Sequence, residues 1–452
     1  MAVELTRVPQ TIASMLAAED ERPLLSLPPT QIHLAHLLNA TSSHSLETSD
    51  LRYFSVIDAS EHPDFAPAQT REKLLFFARQ SPRGKPGELH VLRGLTTAVL
   101  VISPNRPDRM ELLSAGPVVE NYALASNLDV HLVSMRNGKA LLYGLGGHHH
   151  PWDERRGFSQ LSKRQPRTLR PRDGVRLIRA MNLQQVLNGD WVPWEQMYPP
   201  DWTPAHGVAA TDAQVKAREV AAKRARKAAM VIDGRHPGCL EVFNRYAPIC
   251  FFDSKMSLTS FRGRYFIFAR ANTVDRGGGR FVQVASTTEN DPAGPYGRFQ
   301  LLDIEGYGSM RSGNIYTAVV REHPLDSSMM IGLFSVNEGI PGKVNRDGKC
   351  YIALSLSCDG VHWSRFTPLM KTEGERGRTF DQPVSGLLRR GALVQFFVQR
   401  DVPQISYAAP TSSRLERHTF NTDVLMHLTA TAKLRLWHRG ICNMSSAPTY
   451  YH

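Results

Sequence analysis

Short hydrophobic runs rich in Val, Ile, Phe and Tyr recur along the whole chain, each bounded by polar or turn residues, Gly, Pro, Asn or Asp. Helical periodicity is scarce beside them, so this pattern predicts strands and few helices. Five segments share one order: a polar residue, a strand, a basic or Gly-containing turn, and a second apolar strand, with two further strands behind it in most of them. The first reads "DLRYFSVID", "KLLFFARQ", "LTTAVLVIS" and "RMELLSAG". The second is "NLDVHLVSMRNGKALLYGLGGHHH" followed by "GVRLIRAMNL", and the third is "KMSLTSFRGRYFIFARAN" with "RFVQVASTTE" and "GRFQLLDI". The fourth is "NIYTAVVREHPLDSSMMIGLFSV" closed by "CYIALSLSCDGVHWSRFTPLM"; the fifth is "DQPVSGLLRRGALVQFFVQRD" with "QISYAA" and "RLERHTF".

Four antiparallel strands repeated at intervals of about 60 residues or more describe propeller blades, each of which hides its faces only by stacking on its neighbours. The expectation is an all-β chain: an N-terminal arm over 1–49, a five-bladed β-propeller over 50–420, and a tail over 421–452 whose "AKLRLWHRG" adds a closing strand. A helical, basic insertion at about 183–235 interrupts it. A pair of β-sandwich domains is the competing fold, and it accounts less readily for the similar second strands "LLFFAR", "YFIFAR" and "VQFFVQR".

At 452 residues and 42% hydrophobic the chain can bury a sizeable core. No apolar run approaches the roughly 20 residues that a membrane-spanning helix needs, so a soluble protein is expected. The N-terminus has an early Glu4, no basic start and no uninterrupted apolar stretch, which makes a poor secretory signal; the expectation leans towards an intracellular chain, or one whose signal has been removed. The formal charge of +12 favours anionic partners. Much of it is local to an Ala-rich helix expected at 213–230, "VKAREVAAKRARKAAM", which reads as a solvated helix or as a docking surface for an acidic protein or RNA. Five cysteines (Cys239, Cys250, Cys350, Cys358, Cys442) without a C-x-x-C pair read as reduced structural thiols, with neither a metal site nor a disulfide framework. Two sequons, Asn39-Ala40-Thr41 and Asn443-Met444-Ser445, matter only in a secreted protein.

The turn Ser357-Cys358-Asp359-Gly360 with Trp363 behind it is expected on the third turn of its blade. Its Asp can accept turn N–H groups, Gly360 can take a positive φ, and Trp363 can fill the gap between blades, which makes it a structural staple. The motif resembles the Asp-box of sialidases, shortened by one residue between Asp and Gly. With five blades, the tighter form resembles the five-bladed propeller glycosidases of the invertase, levansucrase and arabinanase group. That resemblance implies carboxylates contributed from separate blade starts, one protonating the leaving oxygen and another attacking the sugar or activating water.

By position Asp253 and Asp381 match those acids, with Glu241 the third candidate. Residues just before a first strand and just after a second strand share one propeller face. That face also collects Asn127 and Asn314, expected to orient hydroxyls, and Arg79, Arg270 and Arg400, at the same place in three second strands. Converging guanidinium groups can clamp a carboxylate or sulfate, as the arginine triad of sialidases does; an arginine at a strand end can instead pair locally, Arg400 with Asp401 for instance. "GGHHHPWDE" reads as a polar rim loop, with His148 facing substrate and Trp152 a sugar-stacking platform, and not as a metal site. No nucleotide-binding or nucleophile-elbow motif is present, and no cofactor is expected. The reading is a glycosidase-like protein that cleaves or binds a glycan, acidic or sulfated by its arginines. The alternative is a non-catalytic propeller serving as a binding platform or subunit of a larger assembly, which the absence of the Asn-Asp-Pro-Asn and Arg-Asp-Pro signatures favours.

Overall fold

The computed structural model describes residues 24–26, 28–32, 51–66, 72–80, 96–102, 108, 110–116, 129–135, 138–147, 174–188, 192–193, 230–233, 255–272, 280–288, 290–292, 295–307, 313–338, 350–372, 379–403 and 414–443. They form five sheets and little helix. Strand β1 (Thr30–Ile32) comes first in the chain. The first sheet is a meander of β2 (Leu51–Asp58), β3 (Leu74–Gln80), β4 (Thr96–Ile102) and β5 (Met110–Gly116). The second holds β6 (Asp129–Met135), β7 (Gly138–Gly147) and β8 (Gly174–Ala180); after the short helix α1 (Leu183–Asn188), β9 (Val192–Pro193) and β10 (Met230–Asp233) both pair with β8. The third is β11 (Ser257–Phe261), β12 (Arg264–Asn272), β13 (Arg280–Ser286) and β14 (Gln300–Leu301).

The fourth sheet contains β15 (Asp303–Ile304), β16 (Gly313–Glu322), β17 (Met330–Glu338), β18 (Cys350–Ser357), β19 (His362–Trp363) and β20 (Thr367–Lys371). The fifth contains β21 (Thr379–Pro383), β22 (Leu388–Arg390), β23 (Leu393–Pro403) and β24 (Arg414–Phe420). Its outer strand is β1, paired antiparallel with β24 through Thr30 opposite Arg417 and Ile32 opposite Leu415. The chain continues into helix α2 (Thr422–His438), capped by the Asn421 side chain, which accepts from the Val424 N–H.

The first strands of the sheets are neighbours in sequence order: β6 packs on β2 and β11, and β16 on β11 and β21. The last contact, from the fifth sheet to the first, is made by backbone. Val56 N–H donates to the Ser385 carbonyl (2.7 Å) and Ser385 N–H to the Phe54 carbonyl (3.0 Å). Gly386 makes this approach feasible, because its φ is +124° and a Cβ there would overlap the Val56 carbonyl. Arg390 and Asp58 form an ion pair across the same seam.

Apolar layers fill the gaps between adjacent sheets. Val175, Leu177, Leu258 and Ile267 lie between the second and third, and Phe54, Phe76, Val384 and Phe397 between the first and fifth. Between the third and fourth sheets, Trp363 is fully buried edge-on to Phe268 and Phe334. The turn before it is closed by its own polar groups. Asp359 Oδ1 accepts from the N–H groups of Val361 (2.9 Å) and His362 (2.8 Å), Gly360 has φ +82°, and the Trp363 indole donates to the Gly360 carbonyl (3.0 Å).

Three expectations change. The tail supplies no closing strand: residues 422–438 are helical, and β1, from the segment expected to be an arm, completes the fifth sheet. Part of the expected insertion belongs to the second sheet, since β9 and β10 both pair with β8, and 194–229 lie outside the described residues. The cysteines are not all reduced, for Cys358 and Cys442 form a disulfide that ties the Asp359 turn to the end of α2. "QISYAA" lies outside the described residues.

Candidate functional site

Asp381 sits in β21 at a register shift between Phe380 and Gln382, where the strand bends away from regular pairing with β23. It is 5% exposed. Arg400 Nη1 lies 3.0 Å from its Oδ2, and the Asp401 backbone N–H donates to Oδ1 at 2.9 Å. The Ser335 hydroxyl, from the fourth sheet, donates to the Asp381 carbonyl at 3.1 Å. Burial raises the Asp381 carboxyl above the usual carboxylate range, although Arg400 and the Asp401 N–H oppose the rise.

The same guanidinium reaches a second carboxylate. Arg400 Nε is 3.5 Å from Glu416 Oε2, and Glu416 also lies 3.2 Å from Arg414 Nε and 3.4 Å from His418 Nε2. Burial raises Glu416 as well, but His418, Arg400 and Arg414 together outweigh it and hold the group below its usual range. The two acids around Arg400 are therefore pushed apart, one towards holding a proton and the other towards keeping its charge. That division is the one acid–base chemistry requires of a carboxyl pair. The local pairing of Arg400 with Asp401 does not occur: Asp401, at φ +55°, turns to Arg414 instead. Beside Asp381, the Gln382 side chain is 2% exposed, and among the described residues neither amide atom has a hydrogen-bond partner.

Arg270 is buried near the end of β12, and its carbonyl accepts from Gln283 Nε2 at 3.1 Å. Arg79 lies in β3 opposite Arg52 and Thr97. Asn314 lies at the start of β16 opposite Asn337. Arg79, Arg270 and Arg400 all occur near the ends of second strands. Asn127, His148, Trp152, Glu241, Asp253 and the basic helix at 213–230 lie outside the described residues.

A second polar cluster, not singled out in the sequence, joins the first strands. Asp129, at the start of β6, takes a paired contact from Arg321 of β16 (Nη2 to Oδ1 2.9 Å, Nη1 to Oδ2 3.2 Å) and accepts from the Leu258 N–H and the Ser55 hydroxyl. Burial raises this carboxyl, but Arg321 and Lys255 more than reverse the effect and leave it below its usual range. Lys255 donates to the Tyr53 and Phe54 carbonyls (3.1 and 2.7 Å) and to Ser55 Oγ, beside the register shift that gives Tyr53 φ +56°. Burial lowers the ammonium to about 7. His131, which faces the Ser260 hydroxyl at 3.1 Å, is driven down to about 3 by burial and by Arg321. Asp–Arg and Lys–carbonyl contacts of this kind leave no free valence for chemistry, so the cluster reads as a tie between sheets.

Among the described residues, no group of three or more His, Cys, Asp and Glu side chains is placed to hold a metal ion, and no helix is long and apolar enough to cross a membrane.

No protein-family model matches the chain, and no curated protein matches it. Among solved structures, it is similar to the GH93 α-L-arabinofuranosidase of Fusarium graminearum in complex with arabinobiose, at 8% identity and a TM-score of 0.43, covering 87% of this chain and 97% of that one. It is also similar to the catalytic domain of the Coprinopsis cinerea GH62 α-L-arabinofuranosidase (9% identity, TM-score 0.41, covering 88% and 98%). A third is the Penicillium chrysogenum α-L-arabinanase complexed with arabinobiose (9% identity, TM-score 0.38, covering 85% and 80%).

Proposed function

We propose that the five sheets are the blades of a closed five-bladed propeller, and that the protein is glycosidase-like, cleaving or binding a glycan on the face where the first strands begin. The observation that carries this reading is Asp381: a buried carboxyl raised by its surroundings, at the register shift within the first strand of the fifth sheet, sharing Arg400 with a depressed Glu416. A carboxyl raised above its usual range is the better placed of the two to donate a proton to the departing glycosidic oxygen, while a charged partner activates water or attacks the anomeric carbon. Asp253 and Glu241 are the further carboxylates assigned to this face. Asn127, Asn314, His148 and Trp152 would contact the sugar, and Arg79, Arg270 and Arg400 would favour a substrate bearing carboxylate or sulfate.

The test is sugar release from a panel of neutral, uronic and sulfated glycans, comparing wild type with Asp381→Asn. Loss of a general acid lowers the rate by about 10²–10⁴-fold, so the variant should fold normally and release almost nothing. Equal release by both proteins would remove Asp381 from the mechanism.

One observation favours a second reading, a non-catalytic binding platform. Asp381 is almost inaccessible and already engaged by Arg400 and the Asp401 N–H, as a structural carboxylate would be. Binding of a glycan without release of any sugar from the panel would establish that reading.

A further inference from the structure

Helix α2 ends where Gly440 adopts φ +72°. The following N–H groups of Ile441 and Cys442 fold back onto the Leu436 carbonyl, at 3.0 and 3.5 Å. This reversal and the bond to Cys358 draw the Cys442 sulfur into the apolar layer that α2 shares with the fourth and fifth sheets. The next residue, Asn443, emerges exposed. It opens the sequon Asn443-Met444-Ser445, whose middle residue is not proline.

Two independent features thus meet within two residues. A disulfide persists where the surroundings are oxidising and is rare where cellular thiols are kept reduced. The lumenal compartments that oxidise cysteines are also where oligosaccharide is transferred to asparagine. The sequon alone carries little, since the triplet recurs by chance; its position directly after a cross-linked cysteine, with Asn443 exposed, puts acceptor and compartment together.

We propose that Asn443 is an acceptor for an N-linked glycan. In the transfer, Asn443 Nδ2 forms a bond to C1 of an oligosaccharide carried on a polyprenyl pyrophosphate. The C1–oxygen bond breaks, the pyrophosphate leaves with its electron pair, and one amide proton is lost. The modification is separate from the Asp381 face and independent of any glycan handled there.

The experiment uses the full chain, secreted from insect cells behind a cleavable leader, with intact mass measured before and after peptide-N-glycosidase and with a non-reducing peptide map. The expected result is a Cys358–Cys442 cross-linked peptide pair in which Asn443 carries glycan, converted to Asp by the glycosidase. Both Asn443→Gln and Ser445→Ala should lose that glycan; the second keeps the asparagine and so separates loss of the acceptor signal from any effect on folding. Asn443 found unmodified in protein that contains the cross-link would overturn the proposal. Absence of the cross-link from secreted protein would overturn it equally, by removing the observation on which the compartment rests.

Discussion

Gln382 is a liability at the level of a single side chain, because burying an amide without partners costs about 1–3 kcal/mol for each polar group left unpaired. Methionine has a similar length and shape and needs no hydrogen bonds. Gln382→Met should therefore raise stability by about 1 kcal/mol, read as a higher denaturant midpoint with an unchanged slope. A lower midpoint would show that the amide has a partner in solution, such as a bound water. Around it, the sequence revealed positions better than partners. Arg400 stands at the end of a second strand, as the repeat predicted, but its pairing follows strand geometry. Adjacent residues of a strand point to opposite faces, so Arg400 reaches across to Asp381 on one neighbour and Glu416 on the other, and its chain neighbour Asp401 faces Arg414. Glu416 escaped notice because it lies in a third strand, where nothing in the local pattern marks it as belonging to the site. The same holds for Asp129 and Arg321, which are 192 residues apart and meet only through sheet packing.

Elements were legible where a run rich in apolar residues extended over seven residues or more, as in β2 to β5, and illegible where pairing is long-range and short. Strand β1 has three residues and finds its partner near the other end of the chain; β10 has four and pairs with β8, distant from it in the chain. The tail misled for a different reason. "AKLRL" alternates with period two over five residues, whereas the buried positions Leu425, Thr429, Ala432 and Leu436 recur at three and four, the spacing of a helix face. That face is docked by polar contacts as well. Lys433 donates to the Ser328 hydroxyl at 2.6 Å, and Thr429 meets His323 Nε2 at 3.1 Å. Burial lowers His323 to about 4, so the ring is neutral near pH 7, its Nδ1 accepting from the Leu325 and Asp326 N–H groups. The Cys358–Cys442 bond spans 84 residues of chain, and closing a loop of that size restricts the unfolded state by about 2–4 kcal/mol. Cys358→Ser should lower stability by that amount, and its melting should not respond to reductant. Wild-type protein that melts at the same temperature with and without reductant would show that the cross-link contributes nothing.

For the molecule as a whole, the first strands of successive sheets contact one another, and the ties between sheets differ in how they respond to solution conditions. The seam between the fifth and first sheets combines backbone hydrogen bonds at Ser385 and close approach at Gly386, which no pH change titrates, with the Arg390–Asp58 ion pair. The tie among the first, second, third and fourth sheets is ionic. It runs through Asp129, with Arg321, Lys255 and His131 as the charged and titratable groups facing it. A carboxylate whose folded value is depressed stabilises the fold above its unfolded value, near about 3.9, and loses that contribution as pH falls through the folded value. Removing one partner of a buried pair costs about 3–5 kcal/mol, because the other charge is left uncompensated. Asp129→Asn should therefore be less stable than wild type by about that much at pH 7, with Arg321 and Lys255 stranded. The gap should close as pH falls below about 4, since wild type then loses the same charge by protonation. Lys255 works in the other direction: burial makes the folded state release its proton first, so stability gained from it rises with pH above about 7. Denaturant unfolding of both proteins from pH 7 to pH 2.5 measures the gap directly. A difference that stays constant into acid would mean that the carboxylate's shape and hydrogen bonds, and not its charge, hold the sheets together.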